Sequence, residues 1–197
     1  MTTATAAAMD LSNPSDNDFA LDNLGALFIP ERVEMMKWMA GGMAVGGGAA
    51  AGLWFGLPAL PPATDAIARI GQVLAMTAPV GAVILAMVVG CFRMFDTEHA
   101  MNPLKHMESQ RYRITNRVLA NTVEQAIVVL PPLLALGFLL EGPAFRLIPV
   151  IAGTWVISRL VFWAGYQLHM PSRGLGMVPT LLASFAAYGL LIHTLLG

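Results

Sequence analysis

One stretch of the sequence places charged and amide side chains at the start of a segment that is otherwise apolar enough for lipid. In NRVLANTVEQAIVVLPPLLAL, residues 116 to 136, Arg117, Asn121 and Glu124 recur at helical spacing, and Arg113 lies one turn earlier. At 3.6 residues per turn these four side chains, here called the polar stripe, share one face of a helix. Guanidinium, amide and carboxylate groups on one face can bind the charged ends of a small polar ligand.

The polar stripe by itself allows two interpretations. In the first, Arg117 and Glu124 form an ion pair that holds helices together and has no other role. In the second, the stripe binds a ligand. A charge near the bilayer centre costs on the order of 2.5 to 3.5 kcal/mol, so under either interpretation the stripe must face protein or water.

A second polar face follows about forty residues later, in SRLVFWAGYQLHMPSRG. Arg159, Tyr166 and Arg173 are spaced seven residues apart, so the spacing predicts that they share a helical face with Arg159 one to two turns deep. Together with the polar stripe, this face would line a pocket with four arginines and a single carboxylate, Glu124. An excess of guanidinium groups over carboxylates predicts an anionic ligand.

The elements that carry these residues are predicted to be membrane helices. The chain is 56% hydrophobic and only 12% charged, which is far more apolar than a soluble domain. Runs of spanning length cover residues 38–60, 70–92, 115–140, 144–169 and 175–196. We therefore predict an all-α integral membrane helical bundle with five spans. The net charge of −1 argues against a nucleic-acid partner.

The chain divides into three parts. Residues 1–30 are polar and acidic and are predicted to be poorly ordered, residues 33–60 form an extra transmembrane helix, and residues 66–197 form a four-helix membrane domain. Within the extra helix, GGMAVGGG places Gly42 and Gly46 four residues apart, which predicts close contact with another helix.

Basic residues are distributed unevenly between the two predicted faces of the membrane. With five spans, one face carries Arg32, Lys37, Arg93, Lys105, Arg111, Arg113, Arg117 and Arg173. The other face carries Arg69 and Arg146. The positive-inside rule then places the N-terminus in the cytoplasm, and we predict an integral protein of a bacterial inner membrane. The histidines have no metal-ligand spacing, so no metal site is predicted.

The motifs RVLANTVE and RLVFWAGY, followed by Arg173, resemble the membrane-associated proteins in eicosanoid and glutathione metabolism, the MAPEG family. Microsomal glutathione transferases, leukotriene C4 synthase and microsomal prostaglandin E synthase belong to this family. The resemblance covers about residues 70–197 and leaves out the first span and the acidic tail. It implies a homotrimer of four-helix protomers with glutathione, the co-substrate, between neighbouring subunits.

The resemblance also implies roles for the two polar faces. The substrate-binding residues would be Arg113, Arg117, Asn121, Glu124, Arg159 and Tyr166. Glu124 would bind the amino group of glutathione, while Arg117 and Asn121 would bind its carboxylates or position Glu124. Arg173 would be the catalytic residue that stabilises the glutathione thiolate, because a nearby guanidinium favours the charged form of a thiol.

The implied function is a membrane-bound glutathione-dependent transferase or peroxidase that acts on lipophilic electrophiles, with membrane lipid as a further partner. A non-catalytic protein of the same family that binds an anionic lipid or scaffolds a partner is the alternative. A small transporter subunit that uses the intramembrane charges as an ion path is a third interpretation. It is weakened because the sequence has no inverted repeat and only one intramembrane acid.

Overall fold

The structure, a computed structural model, describes residues 30–58, 65–102, 104 and 107–196. The predicted acidic tail, apart from Pro30, lies outside the described residues. Lys105, which the charge distribution counted, also lies outside them. The long helices of the described chain are α1 (Pro30–Gly56), α2 (Ala66–Gly90), α3 (Gln110–Leu139), α4 (Leu147–Leu168) and α5 (Gly174–Leu196). Short 3₁₀ helices precede α4 and α5 at Gly142–Arg146 and Met170–Arg173. The predicted all-α fold is confirmed, since the described residues contain helices and no strand.

Four helices of the described chain are long and apolar enough to cross a membrane. They are α2, α3, α4 with the 3₁₀ turn before it, and α5 with the 3₁₀ turn before it. They pack around buried apolar side chains, including Val73, Leu133, Ile148 and Trp155. This arrangement is an integral membrane helical bundle.

The additional helix α1 runs the whole height of this bundle. At one end, Oε1 of Glu34 lies 3.7 Å from Nε2 of His169, just after α4 ends. At the other end, Arg146, just before α4 begins, donates hydrogen bonds to the carbonyl oxygens of Trp54 (2.5 Å) and Leu57. A cation at a helix C-terminus satisfies carbonyl groups that have no partner within the helix. Helix α1 therefore lies alongside α4, but it is not among the four described helices that are long and apolar enough to cross a membrane, so the fifth predicted span stays a prediction.

These contacts distinguish two ends of the bundle. The loop end carries the connections between α2 and α3 and between α4 and α5, together with the start of α1. The far end carries the C-terminus of α1 and the connection between α3 and α4. Arg69 and Glu141 form an exposed ion pair there at 3.2 Å. Both predicted polar faces begin at the loop end, where Arg113 lies in the first turn of α3 and Tyr166 in the last turn of α4.

The glycine motif of α1 is the contact surface with α5, as its spacing predicted. A Cβ added at Gly42 would lie 2.8 Å from the carbonyl oxygen of Leu175, and one added at Gly46 would lie 2.6 Å from Cβ of Pro179. Such distances are far below van der Waals contact. Only glycine at these two positions allows the backbones of α1 and α5 to come this close.

Gly46→Ala is expected to destabilise the packing of α1 by about 1 to 3 kcal/mol, because the added methyl group overlaps Pro179. Gly47→Ala is the matched control, since no atom lies within 4 Å of a Cβ added there. Thermal unfolding of both variants in detergent micelles measures the difference. Equal midpoints for the two variants would contradict the observed packing.

Candidate functional site

The connection before α3 fixes the start of the helix that carries the polar stripe. Ser109 caps α3 by accepting a hydrogen bond from the Tyr112 amide at 3.1 Å, and its own amide donates to Oδ2 of Asp96 at 2.9 Å. Hydrogen bonds from the Ser109 hydroxyl and amide hold the pKa of Asp96 below its usual value. Arg93 donates to Oε1 of Glu108 at 2.7 Å, and this bond raises the pKa of Arg93. The first turn of α3 is therefore fixed by the loop before it.

Arg159 is the buried centre of the site. Its side chain is 1% exposed, with Nε and Nη2 donating to Oγ1 of Thr122 at 3.1 and 2.7 Å. Nη2 also donates to Oδ1 of Asn121 at 3.0 Å, and the guanidinium carbon lies 4.1 Å from the ring centroid of Phe162. These contacts hold the guanidinium in one orientation and join α3 to α4.

Arg173 and Tyr166 form a second pair on the same side of the bundle. Nη1 of Arg173 donates to the hydroxyl of Tyr166 at 2.9 Å, and the guanidinium carbon lies 5.0 Å from the centroid of the same ring. The spacing predicted one helical face for Arg159, Tyr166 and Arg173, but α4 ends at Leu168. The 3₁₀ turn Met170–Arg173 instead brings Arg173 back to Tyr166.

Five of the predicted site residues line one cavity of about 380 Å³, a size typical of small-molecule sites. They are Arg117, Asn121, Arg159, Tyr166 and Arg173. The remaining lining residues are Met35, Gln125, Phe162, Met177, Thr180 and Leu181. Among these described residues the cavity has three arginines and no carboxylate, so its lining is suited to an anion.

The other two predicted residues, Arg113 and Glu124, do not line this cavity. They are exposed along an outer groove that α3 and the loop before it form, and Arg117 and Asn121 line both the groove and the cavity. In the described part of the chain, neither Arg117 nor Glu124 forms an ion pair within 4.0 Å. The interpretation of the stripe as an ion pair within one chain therefore finds no support in the structure.

Among the residues of the site that the sequence did not predict, three contact its arginines closely. Thr122 follows the spacing of the buried α3 residues Thr115, Val118, Ala126 and Val129, so its burial could have been read from this periodicity. Phe162 lies three residues after Arg159, a spacing that places side chains next to each other on a helix. Met35 reaches the cavity from another helix, and no local pattern indicates this contact.

The structure is therefore that of a helical membrane protein with an arginine-lined cavity towards one end. The profile of the MAPEG family matches residues 66–193, which include α2, α3, α4 and most of α5, and the chain belongs to this family. No curated protein and no solved structure matches the chain. Helix α1 lies outside the matched residues.

Proposed function

We propose that this protein is a glutathione-dependent transferase or peroxidase of the membrane that acts on lipophilic electrophiles as a homotrimer. The observation that carries the proposal is the cavity in which Arg117, Arg159 and Arg173 meet with no carboxylate among the described lining residues. Membership of the MAPEG family makes glutathione the anion to test first.

The charges of the site match those of glutathione, which has two carboxylates and one amino group. Arg117 lines both the cavity and the outer groove, so it is placed to bind a carboxylate of a ligand that extends from one to the other. Glu124 is exposed in the groove without an ion pair in the described chain and would bind the amino group. Charge-assisted hydrogen bonds of this kind supply both affinity and orientation.

The position of Glu124 also supports the trimer. The outer groove is lined by α3 and the preceding loop, so its other side is open to a neighbouring protein. A second protomer against this groove would cover Arg113 and Glu124 and take their charges out of contact with lipid, where charge is unfavourable. A ligand that bridges the cavity and the groove would then lie between two subunits.

In the proposed reaction, Arg173 stabilises the thiolate of glutathione. A free thiol has a pKa of about 8.5, and a guanidinium next to it lowers this value, so the proton leaves to water near neutral pH. In transfer, the sulfur forms a bond to an electrophilic carbon, and the leaving group departs with its bonding electrons. In peroxide reduction, two glutathione molecules become one disulfide, and the hydroperoxide accepts two electrons and two protons to give an alcohol and water.

The loop end is the end that the basic residues predict to be cytoplasmic. A water-soluble thiol would then reach the site from the cytoplasm, while a lipophilic electrophile would enter from the bilayer past apolar residues of α5 such as Met177 and Leu181. The two substrates would thus approach the site from two different phases.

Glu124→Gln is expected to weaken glutathione binding about tenfold or more, because the ammonium group loses its charged acceptor. Glu141→Gln is the matched control, since Glu141 is also exposed but lies at the far end. Equilibrium dialysis of labelled glutathione against both purified variants measures the effect. Equal affinities for the two variants would remove Glu124 from the proposed site.

Binding of an anionic lipid without catalysis is the second candidate function. The same observation supports it, because three guanidinium groups, with no carboxylate beside them in the described part of the chain, suit a lipid phosphate as well as a peptide carboxylate. Competition between glutathione and vesicles that contain phosphatidylglycerol separates the two functions. Lipid binding that Arg117→Gln weakens, together with no binding of glutathione, would favour this second function.

A further inference from the structure

Helix α1 lies outside the part of the chain that matches the family, yet it contributes to the candidate site. Met35, one turn into α1, lines the cavity together with Arg117, Arg159 and Arg173. Its sulfur lies 3.8 Å from Nη2 of Arg173, on the guanidinium group that also binds Tyr166. An apolar side chain from the extra helix thus contacts Arg173, the residue that stabilises the glutathione thiolate in the proposed function.

The packing of the helix backbones fixes the position of Met35. Gly174, the first residue of α5, lies against α1 so closely that an added Cβ would be 3.1 Å from the carbonyl oxygen of Met35 and 3.0 Å from the amide of Met39. Gly42 repeats this contact two turns later, where an added Cβ would be 2.9 Å from the carbonyl oxygen of Gly174. Met35 is therefore a wall of the cavity whose backbone cannot move away without separating α1 from α5.

We propose that Met35 is a specificity-determining residue that limits the size of the electrophile admitted beside Arg173. The proposal rests on the proposed function, because it requires the thiolate to lie at Arg173. With Met177 and Leu181, Met35 contributes apolar side chains to the lining of the cavity beside its arginines. The unbranched thioether of methionine fills irregular space between apolar groups, so it restricts the width available to a ring that approaches the sulfur.

Chlorodinitrobenzene and chlorodinitronaphthalene test this proposal, because they undergo the same reaction and differ by one fused ring. In both, the thiolate sulfur bonds to the ring carbon that carries chlorine, chloride leaves with the bonding electrons, and the thiol proton goes to water. The measured quantity is the ratio of kcat/KM for the larger reagent to kcat/KM for the smaller one. This ratio cancels any change that affects both reagents equally, including loss of folded protein.

Met35→Ala is expected to raise the ratio about tenfold, because a few apolar atoms in a pocket change selectivity by this order. Met35→Phe is expected to lower the ratio, and it keeps the proposal testable should the alanine variant fail to fold. Met36→Ala is the matched control, since Met36 has the same side chain on the same helix and is 60% exposed. It is expected to leave the ratio unchanged.

The possible results separate the role of Met35 from the proposed function. A ratio that stays at the wild-type value in both Met35 variants, with turnover intact, would overturn the role of Met35 and leave the proposed function standing. The same shift in Met36→Ala as in Met35→Ala would also overturn it, because the effect would then belong to α1 as a whole. A wild-type protein that neither binds nor conjugates glutathione would overturn the proposed function, and the role of Met35 with it.

Discussion

Arg173→Ala is expected to lower kcat/KM for glutathione conjugation by about 10- to 30-fold at neutral pH, since a thiol with a pKa of about 8.5 is only about 3% thiolate at pH 7. Without the guanidinium, the pKa of bound glutathione returns towards the value of about 8.5 of a free thiol, so a smaller fraction is thiolate. Because the pKa of the bound glutathione thiol is higher in the variant, the activity of the variant is expected to recover as the pH is raised. Wild-type activity is expected to level off at a lower pH.

The effect is measured as the pH midpoint of the rate profile and as the pH midpoint of the ultraviolet absorbance of the thiolate. Neither midpoint depends on the amount of active protein. Arg69→Ala is the matched control, because Arg69 forms an exposed ion pair with Glu141 at the far end. Its pH profile should coincide with that of the wild type. If Arg173→Ala also keeps the wild-type profile, Arg173 does not stabilise the thiolate, and its hydrogen bond to Tyr166 is a packing contact only.

Thr122→Val is expected to have the largest effect on stability, about 2 to 4 kcal/mol. The substitution keeps the shape of the side chain but removes the acceptor of two hydrogen bonds from Arg159, which is 1% exposed. A buried charged donor that loses its partner costs more than the net value of the bond itself. Since Arg159 also donates to Asn121, the variant is expected to bind glutathione more weakly as well.

Thr77→Val provides the comparison for this variant. Thr77 is also a buried threonine, and its hydroxyl donates to the carbonyl oxygen of Val73 within α2, as the hydroxyl of Thr122 donates to that of Val118. Only Thr122 has the additional bonds to a guanidinium. Thermal unfolding in detergent should therefore show a much larger loss for Thr122→Val, and equal losses would contradict the role given to Arg159.

The helical spacing of polar residues predicted that seven side chains line one pocket, but only five of them line the cavity. Arg117 and Asn121 lie on its wall with Arg159. The stripe as a whole divides, because burial of Thr122 against α4 turns Asn121 towards the cavity and leaves Glu124 on the outer face. Which face of α3 is covered depends on the packing of several helices, and this cannot be read from one periodic segment.

The ends of the helices were less predictable than their existence. The charge-free run predicted a first span from Trp38 within an extra helix over residues 33–60, whereas α1 extends from Pro30 to Gly56 and includes Glu34 and Lys37. Counting uncharged residues finds only the part of a helix that crosses the hydrocarbon core, and the helix continues beyond it into the interface. Met35 lies within the predicted helix but before its uncharged run, and no local pattern indicated that it lines the cavity.

The proposed function depends most directly on whether the wild-type protein binds glutathione. Isothermal titration of the protein in lipid nanodiscs, with glutathione as the only added ligand, is the measurement that tests it. Saturable binding with micromolar to millimolar affinity, weakened by Glu124→Gln and not by Glu141→Gln, is the result expected. No saturable heat at several millimolar glutathione would contradict the proposed function.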